Sequence, residues 1–330
     1  MKSRGTGTQG IEKEIEGGRI GKCDIKKSGG HLRGERLNKY AFIKDHTNEY
    51  SVEKMCHVLK TSSSGFYRWL LRPQSNRAKK TQTMSELIKE TFEHSHNIYG
   101  SPRIAQELNN KQHYVSRSYV ARLMKRMHLR SKIRKKYVVT TDSDHDYRLA
   151  ENLLQRDFSA DGIGQKWVGD ITYIKTGTGW LYLSSVIDLA DRKLIGYSFS
   201  SDMTAKNTVI AALRIAVKTR GVQPGLVFHS DRGVQYAGKE FTTLLKSHEI
   251  TQSMSRKGNC WDNAVAESFF KTLKTEFVYH KHFQNKEIAK FEIFRYIEGF
   301  YHARRIHSAL GGKTPNQMEQ FYLSKQSIAA

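Results

Sequence analysis

Cysteine is scarce in this chain of 330 residues, and Cys23, Cys56 and Cys260 form no CxxC pair. This spacing argues against both a disulfide framework and a zinc finger, and it fits a reducing cytoplasm. Long hydrophobic runs are also missing, since no apolar stretch approaches the roughly 20 residues that span a bilayer. The N-terminus shows no apolar signal-peptide core. The sequence therefore predicts a cytoplasmic protein that does not enter a membrane.

Acidic residues are few relative to basic ones. The chain has 32 Asp and Glu against 55 Lys and Arg, which gives a formal net charge of +23. Such a balance favours a polyanionic partner, either nucleic acid or an anionic membrane surface. Because no membrane segment is visible, nucleic acid is the better interpretation. The length allows two or three domains, and a hydrophobic content of 38% still permits a packed core.

The N-terminal part of the chain changes in character near residue 38. Residues 1–38 are rich in glycine and basic residues, which predicts a disordered tail. Residues 39–73 contain two short amphipathic patterns around a Ser-rich turn, which predicts a pair like a helix-turn-helix. An ordinary helical hairpin fits that pattern equally well. A linker over 74–81 and a longer helix near Met84–His94 are predicted to follow.

A second helix-turn-helix pattern occupies residues 82–136 and is strongly basic. The stretch 111–136 contains ten Lys or Arg residues and no acidic residue. A solvated helix usually mixes both signs of charge, so a one-signed block favours contact with phosphates. The predicted DNA-contacting side chains are Arg117, Arg122, Lys125 and Arg126.

The second half of the chain alternates strand-like and helical patterns. Residues 137–160 are polar and predict a connector, with a short helix near Arg148–Asp157. Residues 161–280 predict three strands, a helix, a strand, a helix, a strand and a helix, which is the order of an RNase H-like fold. Residues 281–330 predict a C-terminal helical extension.

Three acidic residues in the 161–280 region suggest metal chemistry. Asp170 lies in a strand-like run, Asp231 follows another, and Glu267 comes after 35 intervening residues in a helical pattern. Mg²⁺ and Mn²⁺ prefer oxygen ligands, and two such ions can assist displacement at phosphorus. Lys271 and Lys274 share the helix face of Glu267 at i+4 and i+7. Chance placement of solvated acids, and an ordinary surface Glu–Lys pair, remain the alternative.

Four strings resemble those of a known family. WVGDITYI, HSDRGVQY, WDNAVAESFFKTLKTE and YHARRIHSALGGKTP are similar to motifs of the IS3-type insertion-sequence transposases, members of the DDE superfamily related to retroviral integrases. The resemblance implies an α/β RNase H-like core, with a mixed five-stranded sheet and helices, preceded by an all-α helix-turn-helix region. It makes Asp170, Asp231 and Glu267 a catalytic triad that binds two Mg²⁺ or Mn²⁺ ions. Asp188 also lies near a strand end, but it matches no family motif.

The resemblance also implies a function. Metal-dependent cleavage and strand transfer at insertion-sequence ends is expected, with terminal inverted repeats and target DNA as partners. A homo-oligomer, cooperation with an upstream reading-frame product and a location at the bacterial nucleoid are further expectations. Two other functions remain open at this point. One is a nuclease of the same fold that joins no strands, and the other is a DNA-binding repressor in which the acids are structural.

Overall fold

The structure is a computed structural model that describes residues 35–71, 75–133, 149–257 and 259–329. The chain divides into two units, with the boundary between Gln82 and Thr83. Residues 1–34 of the predicted tail lie outside the described residues. Residues 137–148 of the predicted connector also lie outside them.

In its described residues, the first unit contains short helices around a small core. These helices are α1 (Glu35–Asp45), α2 (Val52–Val58), α3 (Ser63–Leu70) and the beginning of α4 (Asn76–His94). Ser51 and Ser62 cap α2 and α3, because their hydroxyls accept hydrogen bonds from backbone N–H groups three residues later. The core side chains are Ile43, Met55, Cys56 and Phe66.

Helix α4 begins at Asn76, so the linker predicted for residues 74–81 is wrong from that position onward. The hydroxyl of Ser75 accepts a hydrogen bond from the N–H of Ala78 at 3.1 Å and caps the helix. The first turns carry no apolar stripe, which is why the pattern looked like a linker. They consist largely of residues that favour the helix intrinsically, such as Arg77, Ala78 and Lys79.

The second unit opens with a helical pair, α5 (Ser101–Asn110) and α6 (Arg117–Arg126). Their buried side chains face each other across the pair. Ser116 caps α6 through the N–H of Tyr119. The cap of α5 is Gly100 and not Ser101 as predicted, and it makes no side-chain hydrogen bond.

A mixed five-stranded sheet forms the centre of the second unit, as predicted. The strands are β1 (Lys166–Thr176), β2 (Gly179–Asp188), β3 (Leu194–Ser200), β4 (Val227–Ser230) and β5 (Thr251–Met254). Their order across the sheet is β3-β2-β1-β4-β5. Strands β1, β2 and β3 pair antiparallel, whereas β4 runs parallel to β1 and β5 runs parallel to β4. The parallel pairing places the end of β4 beside the middle of β1.

Two apolar clusters cover the two faces of this sheet. Adjacent residues of β1 point to opposite faces, so Trp167 belongs to one cluster and Val168 to the other. On the Trp167 face lie α7 (Ala211–Arg220), which follows a π-helical turn, α8 (Val234–Ala237) and α9 (Lys239–Ser247). On the Val168 face lie α10 (Ala264–Glu276), α11 (Lys286–Arg295) and the side chains of the α5–α6 pair.

The helix predicted near Arg148–Asp157 is wrong for the residues of that range that the structure describes. The backbone there is irregular because its polar groups bond to distant parts of the fold. The N–H of Leu153 donates to the Ser253 hydroxyl at 2.9 Å, and Glu151 accepts a hydrogen bond from the N–H of Met254. Tertiary contacts with the end of β5 therefore replace the helical hydrogen bonds.

A buried charge cluster connects the helical pair to the C-terminal region. The Glu276 carboxylate, at the end of α10, accepts hydrogen bonds from Arg103 of α5, from Arg305 and from the Tyr296 hydroxyl. Glu276 is 2% exposed and Arg305 is 5% exposed. Because α5 is joined to α10 by this cluster and by the shared apolar cluster, the pair packs directly on the sheet domain.

The last helix, α12 (Pro315–Ala329), is joined to the sheet by a second charge cluster. Arg220 at the end of α7 contacts Asp188, Asp191 and Glu319 of α12 at 2.7–3.0 Å. Asp188 also accepts hydrogen bonds from the Trp167 indole and from the N–H of Gly164. Among the described residues, no helix has both the length and the apolar composition that a membrane crossing requires.

Candidate active site

Asp170 lies in the middle of β1, opposite Ser185 of β2. Its side chain is partly exposed, and its own carboxylate accepts a hydrogen bond from the N–H of Ile171 at 2.8 Å. The preceding residue is Gly169, where a Cβ atom would lie 2.5 Å from the Phe228 ring. The absence of a side chain at Gly169 therefore leaves room for the Phe228 ring beside the acid.

Asp231 directly follows β4 and is brought next to β1 by the parallel pairing. Val168 of β1 is in register with His229 of β4, and Asp231 stands two residues further on. The Asp231 carboxylate accepts a hydrogen bond from the N–H of Gly233 at 3.0 Å, which turns the chain toward α8. Carboxyl ends of adjacent parallel strands are where α/β folds place polar sites.

Glu267 lies in the first turn of α10 and is exposed. The opposite face of this helix buries Ala266, Phe269, Phe270 and Leu273 against the sheet. This packing directs Glu267 away from the core and toward the two aspartates.

The three carboxylates share one electrostatic environment. Burial raises the pKa of Asp170 well above its ordinary value, and the negative charges of Asp231 and Glu267 raise it further. Burial and the charge of Asp231 also raise the pKa of Glu267. The register of β1 with β4 places Asp231 next to Asp170, and Glu267 lies within range for its charge to act on Asp170. The structure thus brings together the three acids that are widely separated along the chain.

The three carboxylates are suitable ligands for a divalent cation, although their oxygens do not converge on one position. Within the part of the chain that the structure describes, no three Asp, Glu, His or Cys side chains already converge at the spacing of a metal site. Carboxylates that repel one another stand apart until a cation lies between them. Their oxygens are the ligands that Mg²⁺ and Mn²⁺ prefer. Asp170, Asp231 and Glu267 are the residues that would hold such an ion.

Asp262, which no pattern in the sequence singles out, anchors the start of α10. Its carboxylate is fully buried and accepts hydrogen bonds at 2.8–3.0 Å from Asn152, from Arg156 and from the backbone and guanidinium of Arg256. The hydrogen bonds from Arg256 hold the pKa of Asp262 below its ordinary value. Glu267 stands five residues later, so the Asp262 carboxylate fixes the N-terminal end of the helix that carries Glu267.

Asn263 joins α10 to β1 directly and was also missed from the sequence. Its side-chain amide donates to the Gly169 carbonyl at 3.1 Å, and the residue is 3% exposed. Gly169 precedes Asp170, so the contact fixes the two segments of chain that carry Asp170 and Glu267 relative to each other. The sequence signal that could have found Asp262 and Asn263 is their place in the WDNAVAESFF string, five and four residues before Glu267.

The two predicted lysines of α10 differ in their surroundings. Lys271 is exposed, whereas Lys274 is partly buried with its Nζ 5.1 Å from the centre of the Tyr173 ring. Burial lowers the pKa of Lys274, and the charge of Asp170 opposes this shift. Lys274 therefore faces the acids, while Lys271 faces solvent.

The four predicted basic residues of α6 form a separate surface. Arg117, Arg122, Lys125 and Arg126 are all exposed, while Val120, Leu123 and Met124 are buried on the other side of the helix. The guanidinium of Arg122 lies 5.1 Å from the centre of the Tyr119 ring. Helix α6 thus presents a basic face of its own, on an element separate from the three acids.

Substituting Asp170 tests the repulsion among the acids. A carboxyl whose pKa is raised on folding reduces stability as the pH rises from its ordinary range through the raised pKa. We therefore expect Asp170→Asn to raise the melting temperature of the metal-free protein near neutral pH, by about 2–4 °C for each kcal/mol of relief. The same variant should show a weaker loss of stability with rising pH. Thermal denaturation at several pH values in a chelator measures both.

Asp202→Asn is the matched control, because it removes a carboxylate whose pKa is lowered instead of raised. Hydrogen bonds from Thr204 and Asn207 lower the pKa of Asp202 to about 2. A lowered pKa stabilises the fold above the ordinary carboxyl range, so this variant should melt at a lower temperature than the wild type. A destabilised Asp170→Asn protein would show that the acids do not repel one another.

Known protein families match both the helical pair and the sheet domain of this chain. Residues 79–137 match the HTH-like domain, and two integrase core domain families match residues 160–260 and 248–315. Transposase InsF of the insertion sequence IS3A from Escherichia coli is 41% identical over 85% of this chain and 98% of its own length. The 31 kDa protein of the insertion element IS600 from Shigella sonnei is 37% identical over 81% and 98%, respectively.

Solved structures show a more distant likeness. The catalytic core domain of HTLV-2 integrase, solved in complex with magnesium, is 18% identical, with 49% of this chain and 98% of that one covered and a TM-score of 0.37. An intasome of simian T-cell lymphotropic virus gives 16% identity over 71% and 74%, with a TM-score of 0.41.

An integrase core with an RNase H-like sheet, preceded by an HTH-like helical pair, defines an enzyme of the polynucleotidyl transferase type. The identity of 41% over nearly the whole length of a curated relative narrows this class to one family. The chain belongs to the IS3 family of insertion-sequence transposases.

Proposed function

We propose that Asp170, Asp231 and Glu267 are the catalytic triad of metal-dependent DNA cleavage and strand transfer at the ends of an insertion sequence. The observation that supports this role is the shared environment of the three acids. Each of the two raised pKa values, of Asp170 and of Glu267, has the charge of Asp231 among its causes. Acids held together against their own repulsion, where the end of β4 meets the middle of β1, are typical of functional sites.

Each acid has a defined part in this proposal. Asp170 and Asp231 would hold one cation, and Asp170 and Glu267 would hold the other. Two Mg²⁺ or Mn²⁺ ions, when bound, activate water or a DNA 3′-hydroxyl and stabilise the leaving 3′-oxygen. The central position of Asp170 in β1 explains why it is the acid whose pKa responds to both of the others.

The lysines of α10 contact the DNA near the scissile phosphate. Lys274 faces Asp170 and is limited in its motion by the Tyr173 ring, so it would contact a phosphate close to the acids. Lys271 is exposed one turn earlier and would contact the strand further out. Ammonium groups at two distances along one helix can follow a polyanionic strand into the site.

The partners follow from family membership and charge. The substrates are the terminal inverted repeats and a target DNA, and the DNA-contacting surface of α6 includes Arg117, Arg122, Lys125 and Arg126. We also propose a homo-oligomer, cooperation with an upstream reading-frame product and action at the nucleoid in the cytoplasm. The net charge of +23 supports the DNA partner.

The experiment that tests the reaction uses DNA containing the sequences that flank this gene. The purified protein is incubated with that DNA and with Mg²⁺ or Mn²⁺, and the strands are separated on a denaturing gel. Cleaved ends and joined strands are both expected. Cleavage without joining would identify a nuclease, and binding without either product would identify a DNA-binding repressor.

The α6 surface is tested by its dependence on salt. Removing one side chain that binds a phosphate reduces the slope of log K against log salt by about 0.9 on duplex DNA. Arg126→Ala should therefore weaken DNA binding at low salt, and it should flatten the slope by roughly that amount. Fluorescence anisotropy over a range of salt concentrations measures both quantities.

Lys89→Ala is the control for this measurement. Lys89 lies on α4, is 64% exposed and pairs only weakly with Glu93 at 3.9 Å. Both variants remove one positive charge, so the slope should change with Arg126 and not with Lys89. Equal slopes for all three proteins would remove Arg126 from the DNA surface.

A further inference from the structure

Trp261 stands out on the turn that leads into α10. Its side chain is 69% exposed, whereas the next two residues, Asp262 and Asn263, are 0% and 3% exposed. Burying a large apolar side chain normally stabilises a fold, and an exposed indole largely forgoes that stabilisation. The fold thus places a large aromatic ring in solvent beside residues that are firmly buried.

The backbone beneath this ring is fixed by hydrogen bonds. Asp262 accepts bonds from Asn152, Arg156 and Arg256, and Asn263 donates to the Gly169 carbonyl. Because Trp261 is bonded covalently to Asp262, the position of its Cα atom is set by this network. A ring presented on a fixed backbone loses little conformational entropy when something stacks on it.

The turn also touches the segment that carries Asp231. The N–H of Ser255 donates to the Ser230 carbonyl at 2.9 Å, and the Arg232 guanidinium donates to the Ser255 carbonyl at 2.6 Å. Asp231 lies between Ser230 and Arg232, and Glu267 follows Trp261 by six positions. Trp261 therefore lies in the stretch of chain that runs from the contact with the Asp231 segment to the helix of Glu267.

The charge around the ring is positive. Arg156 and Arg256 both bind the single carboxylate of Asp262, so the three side chains together carry a net positive charge. The two arginine side chains remain 46% and 56% exposed, which leaves guanidinium surface for another anion. Lys257, next in the chain, is exposed as well. An aromatic face beside held guanidinium groups is the arrangement that binds a base together with its phosphate.

We propose that Trp261 is a stacking platform for a nucleobase at the DNA end, and that Arg156 and Arg256 bind a neighbouring phosphate. Within a duplex each base face is covered by its neighbours, so a side chain can stack only on an unpaired or a terminal base. Stacking does not depend on base identity, because every base has a π-face. The inference rests on the proposed function, since it takes the DNA end to lie at the three acids.

The test compares two DNA probes without metal, so that no strand is cut. One probe is a short duplex with a single-stranded tail, and the other is the same duplex with blunt ends. Trp261→Ala should weaken binding of the tailed probe by about 5- to 150-fold, the equivalent of ~1–3 kcal/mol for one stacked base. Trp261→Phe, which keeps an aromatic face, should retain most of the affinity. Fluorescence anisotropy with full-length protein gives both affinities.

Phe291→Ala is the matched control, because Phe291 is also an exposed aromatic residue, at 61%, on α11. It should leave both affinities unchanged. Equal affinities of the wild type and Trp261→Ala for both probes would overturn the proposal, as would an alanine-like result for Trp261→Phe. A loss confined to the blunt probe would overturn the unpaired base and leave the terminal pair as the stacked partner.

The outcome can be separated from the fate of the proposed function. Asp231→Asn removes a proposed metal ligand. It should still bind the tailed probe, because that binding is measured without metal. If Asp231→Asn still cleaves and joins DNA, the proposed function fails whatever Trp261 does. If Asp231→Asn is inactive and Trp261→Ala binds like the wild type, only the stacking platform fails. Trp261→Ala should melt at the wild-type temperature, since the ring is largely exposed.

Discussion

Asp231→Asn is expected to abolish both cleavage and strand transfer while DNA binding is retained. The change preserves size and shape, and the remaining amide oxygen can still accept the hydrogen bond from Gly233 that turns the chain. Only the negative charge is removed. Removing a group that merely orients a metal ligand typically costs about 10–100-fold. Loss of the ligand itself should therefore exceed roughly 100-fold in the rate of cleavage measured on a gel.

The control for this variant is Glu240→Gln, which also converts a carboxylate to an amide. Glu240 is exposed in the first turn of α9 and belongs to neither apolar cluster nor to the acidic site. Its activity should equal that of the wild type. An Asp231→Asn protein that cleaves DNA within about tenfold of the wild-type rate would exclude Asp231 as a metal ligand.

Glu276→Ala should cause the largest loss of stability. Its carboxylate binds Arg103, Arg305 and Tyr296, and Arg305 is almost fully buried. Removing one partner of a buried ion pair leaves an uncompensated charge and typically costs about 3–5 kcal/mol. Chemical denaturation of the full-length protein should show a decrease of this size in the free energy of unfolding.

The pH dependence of the same cluster has a defined sign. Burial alone would raise the pKa of Glu276, but the hydrogen bonds and charges of Arg305 and Arg103 hold it below its ordinary value. A lowered pKa stabilises the fold above the ordinary carboxyl range, and this stabilisation is lost as the pH falls through the lowered pKa. Glu276→Gln should therefore lose less stability on acidification than the wild type does.

Glu287→Ala serves as the control, because Glu287 is 79% exposed and forms a surface pair with Lys290. Surface pairs of this kind contribute about 0–1 kcal/mol. A loss for Glu276→Ala no larger than that of Glu287→Ala would show that the buried cluster does not hold the helical pair to the sheet domain.

The sequence was sufficient for the sheet and for the placement of the three acids. The strands of this domain have short apolar runs bounded by turn residues, so their order along the chain could be predicted. Asp231 was expected to follow a strand, and the structure places it directly after β4, which pairs with β1. Glu267 was assigned to a helix from the spacing of its apolar neighbours.

The groups that support the site could not be predicted in the same way. Arg156 binds Asp262 across 106 positions, and Arg220 binds Glu319 across 99. No local periodicity encodes such a pair, because either partner alone resembles a solvated surface residue. The start of α4 was missed for a related reason, since its first turns rely on intrinsic propensity and a Ser75 cap instead of an apolar stripe.

The contact between Arg103 and Glu276 has a consequence for how a cut position is chosen. It joins α5 to the helix of Glu267, and the hydroxyl of Tyr99 adds a second tie by accepting the N–H of Ile306 at 2.9 Å. Under the proposed function, α6 binds DNA and the three acids cut it, and both lie in the same compact unit with a shared apolar cluster. The packing would then set the distance between the bound DNA and the cleavage site, and we expect that inserting base pairs between the two abolishes cleavage and does not move it.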